Sequence, residues 1–369
     1  MGPMIEKLIV DARSLSRPID GIGRVVHEVF RAMSEMPEPP EGIFLAPPGA
    51  KWPFPAPNHW KLIGSGELGR QNATLGWMTH AGFAARRYGC DACLGATMLA
   101  PGLPRRIRQT VIAHDLIWRV NPRWFSFRNR IWFKETAEWS FHRADCIIAV
   151  SNSTKRDLIE YLHIAEDRIR VVPLGVNPPA ETEASVQPSK RYTNSGKRLL
   201  VCVSSFEPRK NIAGLIRACS ALPSEVREQF ELVLVGKKPG YGRNELESAL
   251  SEATISYRIT GNISETELQN LYAAAYSFVY PSLYEGFGLP VLEAMSHGVP
   301  VIAGNNSSLP EVMGNAGILC DTANQEELGR RIQELLASPE TADRLGMEGK
   351  LRSEQFSWKR TAAGVLAAL

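Results

Sequence analysis

The 369-residue chain lacks any apolar run approaching the ~18 residues that a membrane-crossing helix needs, and its N-terminus lacks a signal-peptide pattern. The expectation is a cytoplasmic protein, with peripheral contact at the inner membrane face left open. A cysteine framework is missing too. The six cysteines are scattered, so reduced thiols are the default. Cys90 and Cys93 form a lone CxxC with no second ligand pair at metal spacing. Buried strand-end cysteines are the ordinary reading there, and a metal or redox pair is the alternative. Strong charge of one sign is absent, since the formal net charge is +3. Residues 1–180 carry 23 Lys/Arg against 17 Asp/Glu, and the remainder carries 19 against 22. That bias is too mild to indicate nucleic acid, but it turns the basic half toward an anionic partner. Neither a short repeat nor a low-complexity tract is present.

What is present is an ordinary globular composition, 44% apolar, over a length that favours two domains. KLIVDAR (Lys7–Arg13) predicts a buried strand, and SLSRPIDGIGR a loop leading into a helix from about Val25 to Met33. TVIAHDL (Thr110–Leu116) is another apolar run ending in polar residues. CIIAVSNSTKRDLIEYL predicts a strand from Cys146 and a helix to Leu162, and RVVPLGV closes this half. Residues 177–197 are rich in Pro, Ser, Thr and charge. They predict a linker, taken as 181–197, between a domain at 1–180 and one at 198–355. The alternation then restarts: RLLVCVSSF, FELVLVG, YSFVYPS and VPVIAGN read as strands among helical segments such as NIAGLIRAC and EELGRRIQELLA. The fold class is therefore α/β, with two Rossmann-like, doubly wound halves. Ligands bind beyond the carboxyl ends of strands in such sheets, so two facing domains are expected to form a cleft there. FSWKRTAAGVLAAL (356–369) reads as a helix capped by Ser357 that straps back onto the first domain.

Five constellations carry chemistry. In YEGFGLPVLEAM, Glu285 and Glu293 lie eight positions apart around Gly286, Gly288 and Pro290. A continuous helix would set the two acids roughly 80° apart, but the glycines and proline argue for a loop that opens a helix at Pro290. Backbone N–H groups at such a helix start favour a phosphate, and Glu293 in the first turn suits a vicinal diol such as ribose. A turn with two solvated acids is the plainer alternative. SSFEPRKN (Ser204–Asn211) adds Arg209 and Lys210 directly after a strand, suited to a diphosphate or else a solvated loop. IDGIGR (Ile19–Arg24) is a shorter glycine loop, either a simple turn or a lip over phosphates. His114 and Asp115 follow a buried strand, where a satisfied structural histidine competes with a contact to a sugar hydroxyl. Finally, Ile117–Arg143 is dense in Trp, Phe and Arg, fitting an acceptor groove, a membrane-surface patch or one face of a core helix.

Together these motifs resemble the family 4 glycosyltransferases. EGFGLPVLE resembles their E-x7-E motif, EPRKN their phosphate-binding loop, and NNSSLPEVMGNAGILCD the stretch that follows. IIAVSNSTKRDL, RIRVVPLGV and DGIGR resemble parts of the first domain, so the likeness runs from about residue 7 to 369. The resemblance implies a GT-B fold, retention of anomeric configuration and no essential metal or other cofactor. It implies that Glu293 binds the donor ribose and that Arg209 and Lys210 bind the diphosphate. Glu285 and the amides of Phe287, Gly288 and Leu289, beside Gly286, are placed around the sugar and phosphates. His114 is placed at the donor sugar near the reacting centre, and Ile263 near the nucleobase. Gly21 and Gly23 are placed at the phosphates, although DGIGR departs from the double-glycine form.

The DGIGR loop, the HDL triplet and NNSSLPEV look most like bacterial mannosyltransferases of surface-polysaccharide assembly. This implies GDP-mannose as donor and a glycan or polyprenyl-diphosphate-linked saccharide as acceptor. A UDP- or dTDP-sugar donor, a sugar-nucleotide 2-epimerase and a non-catalytic nucleotide-sugar sensor are the alternatives.

Overall fold

The computed structural model describes residues 5–15, 21–64, 73–104, 106–124, 127–179, 188, 191, 193, 196–237 and 243–369. Ile19 and Asp20 of the first glycine loop, most of the expected linker, and Phe125 with Ser126 lie outside them. The chain divides into two compact units, residues 1–175 with 357–369, and residues 176–356.

Each unit is built on one parallel sheet. The first contains β1 (Lys7–Asp11), β2 (Glu41–Ala46), β3 (Trp60–Gly64), β4 (Ala92–Gly95), β5 (Arg108–Ala113), β6 (Cys146–Ala149) and β7 (Ile169–Val171), in the order β3-β2-β1-β4-β5-β6-β7. The second contains β8 (Arg198–Val203), β9 (Phe230–Val235), β10 (Tyr257–Gly261), β11 (Ser277–Tyr280), β12 (Val301–Gly304) and β13 (Ile318–Cys320), in the order β10-β9-β8-β11-β12-β13. Helices cover such sheets on both faces, so the strands read as unbroken apolar runs rather than alternating ones. ACLG, CIIA and SFVY are accordingly buried along their whole length. All six cysteines are buried and free. Burial pushes the Cys90 thiol up to about 11 and the Cys93 thiol well above the usual thiol range, which makes both poor nucleophiles.

Two helix starts differ from the expectation. The first helix spans Gly21–Ser34, four residues earlier than Val25, so Gly21 and Gly23 lie in its first turn rather than in a loop. Gly23 is buried on the same helix as Val25, Val26, Val29 and Phe30. That tertiary burial outweighs the ~1 kcal/mol helix penalty of a glycine. The Leu289–Ser296 helix has Pro290 as its second residue and Glu293 as its fifth, each one residue deeper than expected. Gly288 is the cause: at φ +108° it turns the chain as the N-cap and starts the helix at Leu289.

The C-terminal helix, Trp358–Ala368, belongs to the first unit and packs on the Gly21–Ser34 helix. Ser357 accepts a hydrogen bond from the Arg360 amide at 3.3 Å, and Thr361 donates to the Pro173 carbonyl at 2.8 Å. Gly175 allows this docking, because a Cβ there would stand 2.1 Å from the Trp358 nitrogen. Gly175→Ala is expected to destabilise the first unit by about 2 kcal/mol or more, through displaced backbone rather than lost contacts. Calorimetry of the variant would show this as a lowered transition; an unchanged thermogram would contradict the packing.

Candidate active site

In the second sheet, β8 leads to β9 and β10 on one side, and the chain then returns to place β11 on the other side of β8. The crevice between the carboxyl ends of β8 and β11 is thus the topological switch point, where an open α/β sheet binds ligands. The loops following these strands meet there. The Leu283 amide donates to the Arg209 carbonyl at 2.8 Å, tying one loop to the other.

Glu285 is the centre of this contact. Lys210 Nζ lies 2.5 Å from its Oε1, and Arg209 Nη1 lies 3.3 Å from its Oε2. Ser282 donates to Oε1 at 2.5 Å, and Lys210 also donates to the Tyr280 hydroxyl at 2.8 Å. Lys210 and Glu285 are each only 7% exposed, which excludes the solvated-loop and solvated-acid alternatives. Burial acts to raise the Glu285 carboxyl, but the Lys210 and Arg209 charges outweigh it and hold the group down at about 2. Lys210 is itself lowered, first by burial and then by Arg209, with Glu285 opposing both. Two cations share one buried carboxylate, and Glu207, half-exposed, pairs with Arg209 at 3.0 Å on the rim. The two cations thus face two carboxylates, one buried and one at the rim, and the cluster is balanced in formal charge.

A third loop, following β12, supports Glu285 from behind. Ser307 Oγ accepts from the Glu285 amide at 2.9 Å, and Ser308 donates to the Glu285 and Phe287 carbonyls at 3.0 and 2.7 Å. Asn306 donates to the Ser282 carbonyl at 3.0 Å. Ser307 holds φ at +47°, a backbone strain of the kind that surrounding structure must impose. Glu293 is buried one turn into the helix and accepts from the Tyr272 hydroxyl at 3.1 Å.

The structure thus brings together Arg209, Lys210, Glu285, Gly286, Phe287, Gly288 and Leu289, with Glu293 on the helix that follows. Ile263 is half-buried in the loop after β10, on the same edge of the sheet. Gly21, Gly23 and His114 belong to the other unit. There, His114 Nε2 lies 2.9 Å from the Ala96 carbonyl, which only accepts, so Nε2 carries the proton. Asp115 accepts from the Ile117 amide at 3.3 Å, two residues ahead of the short Ile117–Val120 helix. At the β1/β4 switch point, Arg13 pairs with Asp11 at 2.8 Å and donates to Thr74 and Thr97. Sequence reading missed Tyr272, Tyr280, Ser282, Ser307 and Ser308. The serines lie within motifs it quoted, but their hydroxyls work through contacts that no spacing reveals.

A crevice at the switch point of a Rossmann-like unit, with two cations and a buried glutamate beside it, is where such a fold takes a ligand. Comparison with known proteins supplies the class. The model of "Glycosyltransferase Family 4" matches residues 19–179 and that of "Glycosyl transferases group 1" matches residues 185–352. "O-antigen chain mannosyltransferase B" of Escherichia coli is 31% identical over 275 residues, covering 72% of this chain and 71% of that protein. Sucrose-phosphate synthase of Thermosynechococcus elongatus superposes with a TM-score of 0.78 at 19% identity, over 98% of this chain and 97% of that one. Anabaena HepE in complex with UDP and glucose superposes with a TM-score of 0.72 at 16% identity, over 99% of this chain and 100% of that one. The chain belongs to glycosyltransferase family 4, with the GT-B fold, and is similar to bacterial mannosyltransferases. It is a glycosyltransferase, which sets aside the epimerase and sensor alternatives.

The Glu285 charge stabilises the folded state above its ordinary value of 4.5, and this contribution is lost as pH falls through about 2. A shift of this size is worth on the order of 3 kcal/mol. Glu285→Gln should therefore be much less stable than the wild type to urea at pH 7. The gap should narrow steadily between pH 4.5 and 2. A gap that stays constant across that range would contradict the assignment of charge to this carboxylate.

Proposed function

We propose that the protein transfers mannose from GDP-mannose to a hydroxyl of a glycan or polyprenyl-diphosphate-linked saccharide, with retention of anomeric configuration. The observation that carries this reading is the buried Glu285 ion cluster at the β8/β11 switch point, where two cations flank one carboxylate. In the reading, the donor diphosphate occupies the crevice. Arg209, on its longer 3.3 Å contact to Glu285, swings to the leaving phosphate while Lys210 stays on its 2.5 Å contact. The developing charge on the departing diphosphate is stabilised by these cations and by N–H groups at the Leu289–Ser296 helix start. Such a leaving group needs little acid catalysis. The acceptor oxygen bonds to the anomeric carbon on the face the diphosphate leaves, the bond from that carbon to the diphosphate oxygen breaks, and the acceptor's proton passes to the departing diphosphate. The scheme assigns the charge compensation to the two side chains and includes no metal. Glu293 takes the ribose hydroxyls, Ile263 the base side, and His114 a hydroxyl of the transferred sugar. Gly21 and Gly23 keep a place near the phosphates as part of the same assignment.

The mannose assignment draws on the likeness to an enzyme named an O-antigen chain mannosyltransferase. A UDP-sugar donor is the second reading, favoured by the likeness to a protein solved with UDP and glucose. Thermal shift with GDP-mannose, UDP-glucose, UDP-GlcNAc and dTDP-rhamnose separates them. Selective stabilisation by GDP-mannose is the expected result, and preference for another donor would discard the sugar while keeping the site. Glu293→Ala should raise the donor KM by about tenfold or more. Arg209→Ala should lower kcat by about a hundredfold. Unchanged kinetics in both variants would remove the site.

For a lipid-linked acceptor, the segment after His114 supplies a membrane surface. No helix among the described residues is long and apolar enough to cross a membrane. The Phe127–Phe133 helix has no buried residue, and it exposes Phe127 at 70% and Trp132 at 50% beside Arg128 and Arg130. A π-helical turn at Lys134–Glu138 follows, with Glu138 buried against Trp118 and paired to Arg119. Exposed aromatics among basic residues fit an anionic lipid surface. Co-sedimentation with phosphatidylglycerol vesicles should fall severalfold in a Phe127→Ser/Trp132→Ser variant and in high salt. Equal pelleting with neutral vesicles would contradict the charge argument.

A further inference from the structure

Two helices of the second unit, Glu265–Ala274 and Leu289–Ser296, are joined by two polar rungs. Tyr272 donates to Glu293 Oε2 at 3.1 Å, and Gln269 Oε1 lies 2.6 Å from His297 Nε2. The partners are three residues apart on one side and four on the other, about one turn of helix on each. The rungs therefore fix the register of one helix against the other. Tyr272 is fully buried, with its ring packed 5.8 Å from Phe278 and 5.4 Å from His297. Its hydroxyl is a fixed donor rather than a swinging one.

We infer that Tyr272 is a positioning residue whose hydroxyl orients the Glu293 carboxylate for a vicinal diol, so that discrimination for a ribose depends on a side chain outside the E-x7-E motif. The inference rests on the ribose assignment of Glu293 made above. The physical argument is that a bidentate acceptor binds more tightly when the carboxylate plane is set before the diol arrives, because the ordering cost is then already met. A hydrogen bond from an immobile phenol to one oxygen sets that plane, and a bond to a charged acceptor is among the stronger kinds. The same helix carries the Ile263 loop at its other end. Ser264 caps it there, accepting from the Glu267 amide at 3.2 Å while Glu267 accepts from the Ser264 amide at 2.7 Å. One rigid element thus ties the loop assigned to the base side to the acid assigned to the ribose. His297, drawn down to about 4 chiefly by burial, stays neutral beside Tyr272 and adds no charge near the carboxylate at neutral pH.

The test is calorimetric titration of the full chain with GDP and 2′-deoxy-GDP, with UDP and 2′-deoxy-UDP as the parallel pair. The quantity read is the ratio of affinities within whichever pair binds. Tyr272→Phe should lower that ratio about tenfold, by weakening ribonucleotide binding while leaving the deoxy analogue unchanged. Glu293→Gln should collapse the ratio toward one. A wild-type ratio in Tyr272→Phe, together with a collapsed ratio in Glu293→Gln, would overturn the positioning role and leave the ribose assignment standing. A wild-type ratio in Glu293→Gln would overturn the ribose assignment and the inference with it. Equal losses for both nucleotides in Tyr272→Phe would make the residue a general packing element, which also overturns the inference.

Discussion

A carboxylate buried with two cations is the constraint on which the second unit is organised. Isolated charges of this kind are expensive to bury, and removing one partner of such a pair costs about 3–5 kcal/mol. Glu285 is tolerable only because Lys210, Arg209, Ser282 and its own backbone partners surround it. The side-chain partners come from the loops after β8 and β11 and the backbone partner from the loop after β12, so holding this one residue pins three loops that are distant in sequence. Shape and charge of the crevice are thereby set before a ligand arrives, the condition under which electrostatic stabilisation is most effective.

The cluster is balanced in formal charge by the chain itself. Glu285 serves as the counter-charge for Lys210, and it shares Arg209 with Glu207 at the rim. Lys210 is lowered chiefly by burial, which Glu285 opposes. Both cations are thus held in place by carboxylates from the loops after β8 and β11.

Much of the fold was legible because parallel strands buried on both faces give unbroken apolar runs, as in RLLVCV and CIIA. Segment composition also exposed the C-terminal helix and its Ser357 cap. Helix starts were less legible. Gly21 and Gly23 look like loop residues by propensity, and only the packing of Val25, Val26 and Phe30 carries the helix back through them. In the site, charged residues announced themselves by position after strands, as Arg209 and Lys210 do. The hydroxyls that orient them did not. Ser282, Ser308 and Tyr272 act across the fold on carboxylates or carbonyls that chain distance does not reveal. The mixed character of Phe127–Phe133 was visible as composition, but the outward direction of Phe127 and Trp132 was not.

The docking of the last helix onto the first unit has a consequence for synthesis. Residues 176–356 form a unit without a break, whereas the first unit is completed only by 357–369. On a ribosome, domains fold largely in the order in which their residues emerge. Here the unit that begins first finishes last: the Thr110 hydroxyl has its Ala368 partner, and Gly175 its neighbour Trp358, only after the second unit has been made. The nascent first unit thus waits with the surface beneath its final helix uncovered, and a truncated chain would carry that exposed surface permanently.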